Sequence, residues 1–250
     1  GESAEIYKYS STEALKLFYP GHSLVAAVEE HEKSSFVRKV YEKAPWMEPP
    51  GLTDGRISLR MELIRGGPLA GGLRALGLRE TGLSLGMMQR DLHIRPSEGL
   101  PRAGGLYEPA IRELPGISDE LRGRLLAWLH SRRDDRLCHG AFGPGNVLQT
   151  NSEWRLIRWK EAFAGDPLCD IALTLASLRR TPGMLIPLRW QLERSYLRGY
   201  FGKEELPEEE LQRWQLLNDV LSFSTHKRVK NPLSNLVQRF RLRYQLQRHF

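Results

Sequence analysis

The spacing of hydrophobic and polar positions predicts a strand-rich beginning of the chain followed by a mainly helical remainder. Short apolar runs next to turn residues predict strands at 4–9, 13–18 and 57–63. Between the second and third of these, apolar residues recur at the spacing of one helix face, which predicts a helix from Leu24 to Lys43. The residues of this face are Leu24, Val28, Phe36, Val40 and Tyr41.

The later part of the chain has mostly helical patterns. A helix is expected from Ser118 to Arg132, with Ser118 as its N-cap, although Leu121 in place of Glu or Gln leaves the capping box incomplete. Two short strands are expected on either side of a turn at 150–152, and four further helices follow. The strands are placed at 146–149 and 154–159, and the helices at about 168–180, 186–201, 207–223 and 233–248.

Residues 66–105 are expected to be irregular or loosely helical, because this stretch holds ten of the 23 glycines. Glycine costs about 1 kcal/mol per helical position relative to alanine.

The composition is that of a globular protein, with 40% hydrophobic and 27% charged residues. The sequence contains no apolar run of about 18 residues, the length that a membrane span needs, and no secretory signal. The two cysteines, Cys138 and Cys169, do not indicate a disulfide framework. These features predict a protein of the reducing cytoplasm.

The net charge of +7 is concentrated at the C-terminus. Residues 226–250 hold seven of the 37 basic residues and none of the 30 acidic ones. Apolar residues at helical spacing accompany them, so an amphipathic cationic helix is expected. It either packs on the rest of the protein with its arginines in solvent, or binds an acidic protein partner or an anionic membrane surface. Few aromatic residues and no recognisable module argue against nucleic acid. The apolar positions are Leu233, Leu236, Val237, Phe240 and Tyr244.

The most specific motif of the chain lies between Leu137 and Ala176. It reads His-Gly, then an Asn six residues after the Gly, then a strand ending in Ile-x-Trp, and finally Gly-Asp-Pro. The positions concerned are His139, Gly140, Asn146, Val147, Leu148, Ile157, Trp159, Gly165, Asp166, Pro167 and Asp170.

This motif resembles the catalytic core of the aminoglycoside phosphotransferase and choline kinase-like family. The resemblance implies an α+β, bilobal protein kinase-like fold that binds ATP or another nucleotide between its lobes. The small, β-rich N-lobe is expected at 1–65 and the mainly helical C-lobe at 66–250, with a hinge near Arg65. The same resemblance makes His139 a scaffold of the catalytic loop, and it makes Asp166 and Asp170 structural.

Two residues depart from the family pattern. Ala141 stands where the family has the Asp that orients the acceptor hydroxyl, and Arg158 stands where it has the Asp that binds Mg²⁺ beside the Asn, here Asn146. Alanine cannot act as a base, and losing a positioned acid or base costs roughly 10²–10⁴ in rate. A guanidinium has no acceptor atom, so a Mg²⁺ site is not expected. Arg158 can, however, bind phosphate oxygens.

The N-terminal segment resembles the nucleotide side of the same family. Residues 1–7, including Ser3, are similar to the second half of its glycine-rich loop. Lys16 falls at the position of the lysine that binds the nucleotide phosphates, and Glu32 is the first choice for its helix partner, with Glu29 and Glu30 as alternatives. Met61 and Glu62 fit the family's hinge, which makes Glu62, Leu63 and Ile64 the expected adenine-binding residues.

Three hypotheses for function remain open. The first is a pseudokinase that binds a nucleotide or another small phosphorylated ligand, with Arg158 partly replacing the metal. The second is an active small-molecule kinase in which Asp134, Asp135, Glu161 or Asp166 has taken over. The third is an interaction protein that acts through its basic C-terminal helix, with a collapsed pocket in which Arg158 pairs with Glu161 or Asp166.

Overall fold

The computed structural model describes residues 3–69, 77–151, 153–180, 184–225 and 232–250, with backbone alone for residues 224–225 and 232–240. The start of the expected phosphate loop at 1–2 lies outside this description. So do the side chains of Leu233, Leu236, Val237 and Phe240, on which the expected apolar stripe of the C-terminal helix rests.

The N-lobe is a four-stranded antiparallel sheet with one helix packed against it. Strand order is β1-β2-β4-β3, and Ala4, Phe18, Ala27 and Leu59 form its small core. The predicted strands and helix are confirmed, but β3 was missed although Asp54-Gly55 indicated a hairpin turn. Both residues have positive φ, 48° and 74°. The elements are Ala4–Lys8 (β1), Glu13–Phe18 (β2), Leu24–Val40 (α1), Gly51–Thr53 (β3) and Arg56–Glu62 (β4).

The C-lobe is mainly helical and contains the larger of the two hydrophobic cores. The helices expected from periodicity are present, and Ser118 caps one of them by accepting a hydrogen bond from the Leu121 amide at 3.2 Å. The helices are Leu78–His93 (α2), Ala103–Arg112 (α3), Asp119–His130 (α4), Pro167–Arg179 (α5), Ile186–Phe201 (α6), Glu208–Thr225 (α7) and Pro232–His249 (α8).

The stretch at 66–105 was expected to be irregular or loosely helical, but its described part contains the regular helix α2 and the start of α3, while residues 70–76 lie outside the description. Glycines of α2 allow α6 to approach very closely. A Cβ on Gly86 would lie 2.1 Å from the Tyr196 carbonyl oxygen, and one on Gly199 would lie 2.1 Å from that of Leu83. Tertiary contact therefore outweighs the helix propensity of glycine here.

Short strands join the lobes and hold the central loop in place. Gly67–Pro68 (β5), which follows the N-lobe sheet, pairs with Val147–Gln149 (β7), and β7 pairs with Trp154–Leu156 (β8). Arg136–Cys138 (β6) pairs with Phe163–Gly165 (β9). The strand expected at 154–159 is shorter than predicted, because Arg158 takes a left-handed conformation before a 3₁₀ turn at Trp159–Glu161.

The last turns of α8 pack on the C-lobe. Leu246 is buried, the Phe250 ring meets the Trp128 ring edge-on at 5.2 Å, and Arg213 donates a hydrogen bond to the His249 carbonyl at 2.9 Å. Arg241, Arg243 and Tyr244 are exposed, and none of the helices that the structure describes is long and apolar enough to cross a membrane.

Candidate functional site

A cavity of about 360 Å³ lies between the two lobes. Its N-lobe wall carries mostly apolar side chains from β1, β2 and the segment before β3, and residues 62–64 form one edge. Its C-lobe wall is formed by β7 and by the segment that follows β8. The predicted nucleotide-binding residues that line it are Ser3, Lys16, Glu62, Leu63, Ile64 and Arg158.

Lys16 forms an ion pair with Glu30 in the cavity wall, so the choice of Glu32 was wrong. The Lys16 Nζ lies 2.6 Å from both Glu30 carboxylate oxygens, and both side chains are largely buried. Glu32 is exposed. Residues two apart on a helix differ by about 200° in direction, so only one of these glutamates can face the sheet.

At the hinge edge of the cavity, formed by residues 62–64, a ligand would meet backbone groups rather than a free polar side chain. The Glu62 carboxylate forms an ion pair with Arg155 at 2.8 Å, and Arg155 also donates to the Lys43 carbonyl at 3.0 Å. The Leu63 amide donates to the Thr12 carbonyl at 2.9 Å. Within the described residues the Ile64 amide has no hydrogen-bond partner, so it is available to a ligand.

His139 organises the loop that follows β6. Its Nδ1 accepts a hydrogen bond from the Ala141 amide at 3.1 Å, and its Nε2 donates to the Ile157 carbonyl at 3.0 Å. These two bonds require the neutral tautomer with the proton on Nε2. Burial lowers the pKa of His139, which favours that neutral form. The geometry agrees with the predicted scaffold role.

Asp170 holds the loop that follows β6 through hydrogen bonds to its buried carboxylate. Its carboxylate accepts hydrogen bonds from the backbone amides of His139 and Gly140, both at 2.9 Å, and from Gln89 and His93 at 2.9 and 3.1 Å. Burial alone would raise the pKa of Asp170, but the hydrogen bond and charge of His93 more than offset it and lower the pKa. Gln89 belongs to the sequence Gln89-Arg-Asp-Leu92, which is similar to a protein-kinase motif. Its hydrogen bond to Asp170 gives this sequence a structural role.

Ala141 and Asn146 are joined by a hydrogen bond within the loop that follows β6. The Asn146 amide group donates a hydrogen bond to the Ala141 carbonyl at 2.6 Å. The Ala141 side chain is a half-buried methyl group that can neither accept nor donate a proton. Neither residue is among those that line the cavity. The loop backbone is therefore well ordered by hydrogen bonds, while the position of the expected base carries no chemistry.

Arg158 is exposed on the cavity wall in a left-handed conformation, with φ 69° and ψ 59°. This conformation costs a non-glycine residue roughly 1–2 kcal/mol. Among the described residues Arg158 forms no ion pair. The Glu161 carboxylate lies 3.5 Å from the Lys160 Nζ instead, and the Asp166 carboxylate caps α5 by accepting a hydrogen bond from the Leu168 amide at 2.8 Å. The pairing of Arg158 with Glu161 or Asp166 is thus absent, and the cavity is open.

Two lysines that the sequence analysis missed add positive charge beside Arg158. Lys160 lines the cavity, and Lys33 of α1 donates a hydrogen bond to the Lys160 carbonyl at 3.0 Å across the lobes. Lys160 could have been predicted, because it lies only two residues after Arg158 in the turn that follows β8, and residues of one turn can line the same wall. The Lys33 contact joins residues 127 apart, and no local pattern predicts it.

The donor set of the cavity does not fit Mg²⁺. The ion prefers carboxylate, phosphate and water oxygens, whereas position 158 presents a guanidinium, and the carboxylates of Glu30 and Glu62 in the lining are paired with Lys16 and Arg155. In the described part of the chain one set of side chains lies close enough to share a metal ion: His93, Cys138 and Asp170. These residues are fully buried behind the loop, away from the cavity wall.

Comparison with known proteins agrees with this architecture. The model of the phosphotransferase enzyme family, APH, matches residues 15–213. The fold is similar to that of an ADP-bound aminoglycoside phosphotransferase of type 2″-Ib, with a TM-score of 0.62 and 15% identity over 100% of this chain and 92% of that one. It is also similar to the choline kinase LicA from Streptococcus pneumoniae, with a TM-score of 0.59 and 15% identity over 98% and 90% of the two chains.

A third solved structure is the aminoglycoside-3′-phosphotransferase of type VIII, with a TM-score of 0.57 and 22% identity over 88% of this chain and 94% of that one. At these identities the likeness is one of fold. None of the curated proteins matches the chain in sequence. The family model nevertheless spans most of the chain, and the bilobal kinase-like fold agrees with it, so the chain belongs to the phosphotransferase enzyme family.

Proposed function

We propose that this protein binds a nucleotide, or another ligand that carries phosphate, in the cavity between its lobes without Mg²⁺, and that it does not transfer phosphate. The observation that carries this proposal is the guanidinium of Arg158, which is unpaired among the described residues and lies on the wall of an open cavity whose Lys16–Glu30 ion pair is in place.

The N-lobe wall supports nucleotide binding. Apolar side chains of this wall such as Ala14 and Met61 line the cavity and suit an aromatic base, and the Ile64 amide, which has no partner among the described residues, can donate a hydrogen bond. The largely buried ion pair with Glu30 fixes the Lys16 ammonium in the same wall, where it can bind a phosphate group. Solved relatives of this fold include an ADP-bound enzyme.

The C-lobe wall supports binding without a metal. Arg158 and Lys160 provide two cations where a carboxylate and its Mg²⁺ are expected in the family. A guanidinium can bind two phosphate oxygens at once and stays charged at every relevant pH. The left-handed backbone of Arg158 is an unfavourable conformation located at a ligand cavity, which is where such strain tends to occur.

The surroundings of the loop argue against relocated catalytic groups. A replacement base must have a carboxylate oxygen free to accept a proton. Asp166 caps a helix, and the Asp134 carboxylate accepts a hydrogen bond from the Gly104 amide at 3.4 Å. Glu161 is exposed beside Lys160. The hypothesis of an active kinase therefore has no specific observation in its favour.

Thermal melts test the proposal. The protein is heated with ATP, ADP and AMP in turn, each with Mg²⁺ and with EDTA. A ligand at 100 times its dissociation constant adds about 2.7 kcal/mol to stability, which a melt resolves readily. We expect a shift that persists in EDTA, is lost in Arg158→Ala, and is kept in Arg198→Ala, which removes an exposed arginine of α6 outside the cavity.

Two outcomes would contradict the proposal. A shift that requires Mg²⁺ would mean that a metal binds despite Arg158, and kinase activity would then become the leading hypothesis. No shift with any nucleotide or with inorganic phosphate would mean that the cavity does not bind phosphate. The function would then depend on an interaction surface such as the basic C-terminal helix.

A further inference from the structure

A second feature, separate from the cavity, lies at the beginning of α6. Leu185, Ile186 and Trp190 are 70%, 78% and 73% exposed, and Leu188 is also exposed. Large apolar side chains at this level of exposure on one helical turn are unusual for a surface that stays in water. Ile186 and Trp190 are four residues apart, so they lie on the same side of the helix.

Arginines surround this apolar turn. Arg179, at the end of α5, donates a hydrogen bond to Glu193 of α6 at 3.1 Å, which brings the end of α5 against the turn that follows Trp190. Arg180 and Arg194 are exposed, and in the described part of the chain neither forms an ion pair. Glu193 is paired with Arg179, and Asp219 of α7 interacts with Arg179 and Arg180, so Arg179, Arg180 and Arg194 outnumber the two carboxylates and the net local charge is positive.

The helix terminus adds to this positive charge. The N-cap residue Leu185 has no side chain that could accept from the first amides, and the first turn of α6 contains no acidic residue. The N-terminus of a helix carries a partial positive charge and exposes free amide groups, both of which favour phosphate groups nearby. It acts together with the arginines here and would not suffice alone.

We propose that the first turn of α6 docks on an anionic phospholipid membrane, with Leu185, Ile186 and Trp190 inserted among the lipids and Arg180 and Arg194 held at the headgroups. Tryptophan is favoured at the boundary between lipid and water, and basic residues near an anionic leaflet strengthen binding. This surface is independent of the nucleotide cavity.

The chemistry of the turn favours a membrane over other occupants. The exposed apolar side chains of Leu185, Ile186 and Trp190 occur together with the exposed Arg180 and Arg194, a combination that suits the boundary between lipid tails and anionic headgroups. A bilayer accepts apolar groups of any shape, whereas a rigid protein would need a matching pocket. If the apolar turns of two copies of the chain met at a two-fold axis, the arginines of one copy would lie near those of the other, and the like charges would repel.

Co-sedimentation with vesicles tests the proposal. One set contains phosphatidylcholine alone, and in the other part of it is replaced by phosphatidylglycerol. We expect binding to the second set, weakened by salt, with roughly tenfold lower partitioning for Ile186→Ser combined with Trp190→Ser. Leu52→Ser, which removes an equally exposed leucine from β3 in the N-lobe, serves as the matched control and should bind like the wild type.

Separate variants test the charges and identify competing occupants. Arg180→Gln with Arg194→Gln should reduce the preference for phosphatidylglycerol. Equal binding of the wild type and the Ile186→Ser, Trp190→Ser variant would overturn the proposal, as would no binding to either vesicle. A doubling of the solution mass by light scattering that the same variant abolishes would instead assign the turn to self-association.

Discussion

The two walls of the interlobe cavity differ in how far they follow the family pattern. The N-lobe wall has the lysine and its glutamate partner in place, with Lys16 and Glu30 in contact at 2.6 Å. The C-lobe side keeps the loop scaffold of His139 and Asp170, but Ala141 in that loop and Arg158 on the cavity wall occupy the two positions where chemistry is expected.

This difference shows that the framework of the site and its chemistry depend on separate residues. The hydrogen bonds that shape the loop use His139, Asp170 and backbone amides, and none of them requires a carboxylate at position 141. The loop can therefore adopt its conformation without a base at position 141. The proposed binding in the cavity does not depend on such a base either, because the Lys16–Glu30 pair forms entirely within the N-lobe.

The largest expected effect comes from breaking the scaffold of the C-lobe wall. Asp170→Ala would leave four buried donors without their acceptor, including the amides of His139 and Gly140. We expect a loss of about 3–5 kcal/mol in the free energy of unfolding, measured by urea denaturation. Asp91→Ala, which breaks the half-exposed pair of Asp91 on α2 with Arg95 just beyond the end of the helix, should cost no more than about 1 kcal/mol. Similar costs for the two variants would refute the scaffold role.

The next largest effect is on ligand affinity and concerns Lys16 in the N-lobe wall. It is expected if the cavity binds a nucleotide as proposed. Lys16→Met should lower the affinity for ADP in EDTA by roughly 10- to 150-fold, because a charge-assisted hydrogen bond to a phosphate is lost. Lys8→Met, which removes an exposed lysine from β1, should have no effect. Calorimetric titration measures both. Unchanged affinity in Lys16→Met would place the phosphate elsewhere.

The sequence predicted the framework of the fold well and its long-range details poorly. Helices such as α4 and α6 were placed within a few residues, because their apolar spacing is a local signal. The regular helix α2 was not predicted, because local propensity penalises glycine, whereas Gly86 is needed for contact with Tyr196 of a distant helix. Tertiary packing of this kind cannot be derived from a single sequence window.

For the site as well, residues at motif positions were predicted, whereas contacts between distant segments were not. The lining of the cavity by Lys16 and Arg158 was predicted, since both follow from motif positions. The identity of the lysine partner was not, because the choice between Glu30 and Glu32 depends on the rotation of α1 about its axis. The contact of Lys33 with Lys160 joins the two lobes, and only the three-dimensional arrangement reveals it.

Arg158→Gly tests whether the strained arginine is kept for binding. Glycine adopts the left-handed conformation without steric cost, so the variant should gain about 0.5–1 kcal/mol in stability after allowing for the greater freedom of its unfolded chain. It should also lose the ADP-dependent shift in EDTA. A variant that is more stable and still binds ADP without metal would show that Arg158 has no part in binding.

The smallest effect is a pH dependence of the loop scaffold. Burial lowers the pKa of His139 in the folded protein, so the unfolded chain takes up a proton near pH 6.5 that the folded chain does not. The stability from this group is therefore present above about pH 6.5 and is lost as the pH decreases, by at most roughly 0.7 kcal/mol between pH 7 and pH 6. Urea denaturation at both pH values measures the fall.

His139→Asn supplies the comparison for this last effect, because the asparagine side-chain oxygen can accept from the Ala141 amide in place of Nδ1 and does not titrate, although the shorter side chain cannot also reach the Ile157 carbonyl. The variant is expected to be less stable at both pH values, but its loss between pH 7 and pH 6 should be smaller than that of the wild type by the contribution of the one proton. Other titrating groups contribute equally to both proteins and cancel. If the two proteins lose the same stability, His139 is protonated in the folded state. Its Nδ1 could then not accept from Ala141, and the hydrogen bonds that shape the C-lobe wall would differ from those described.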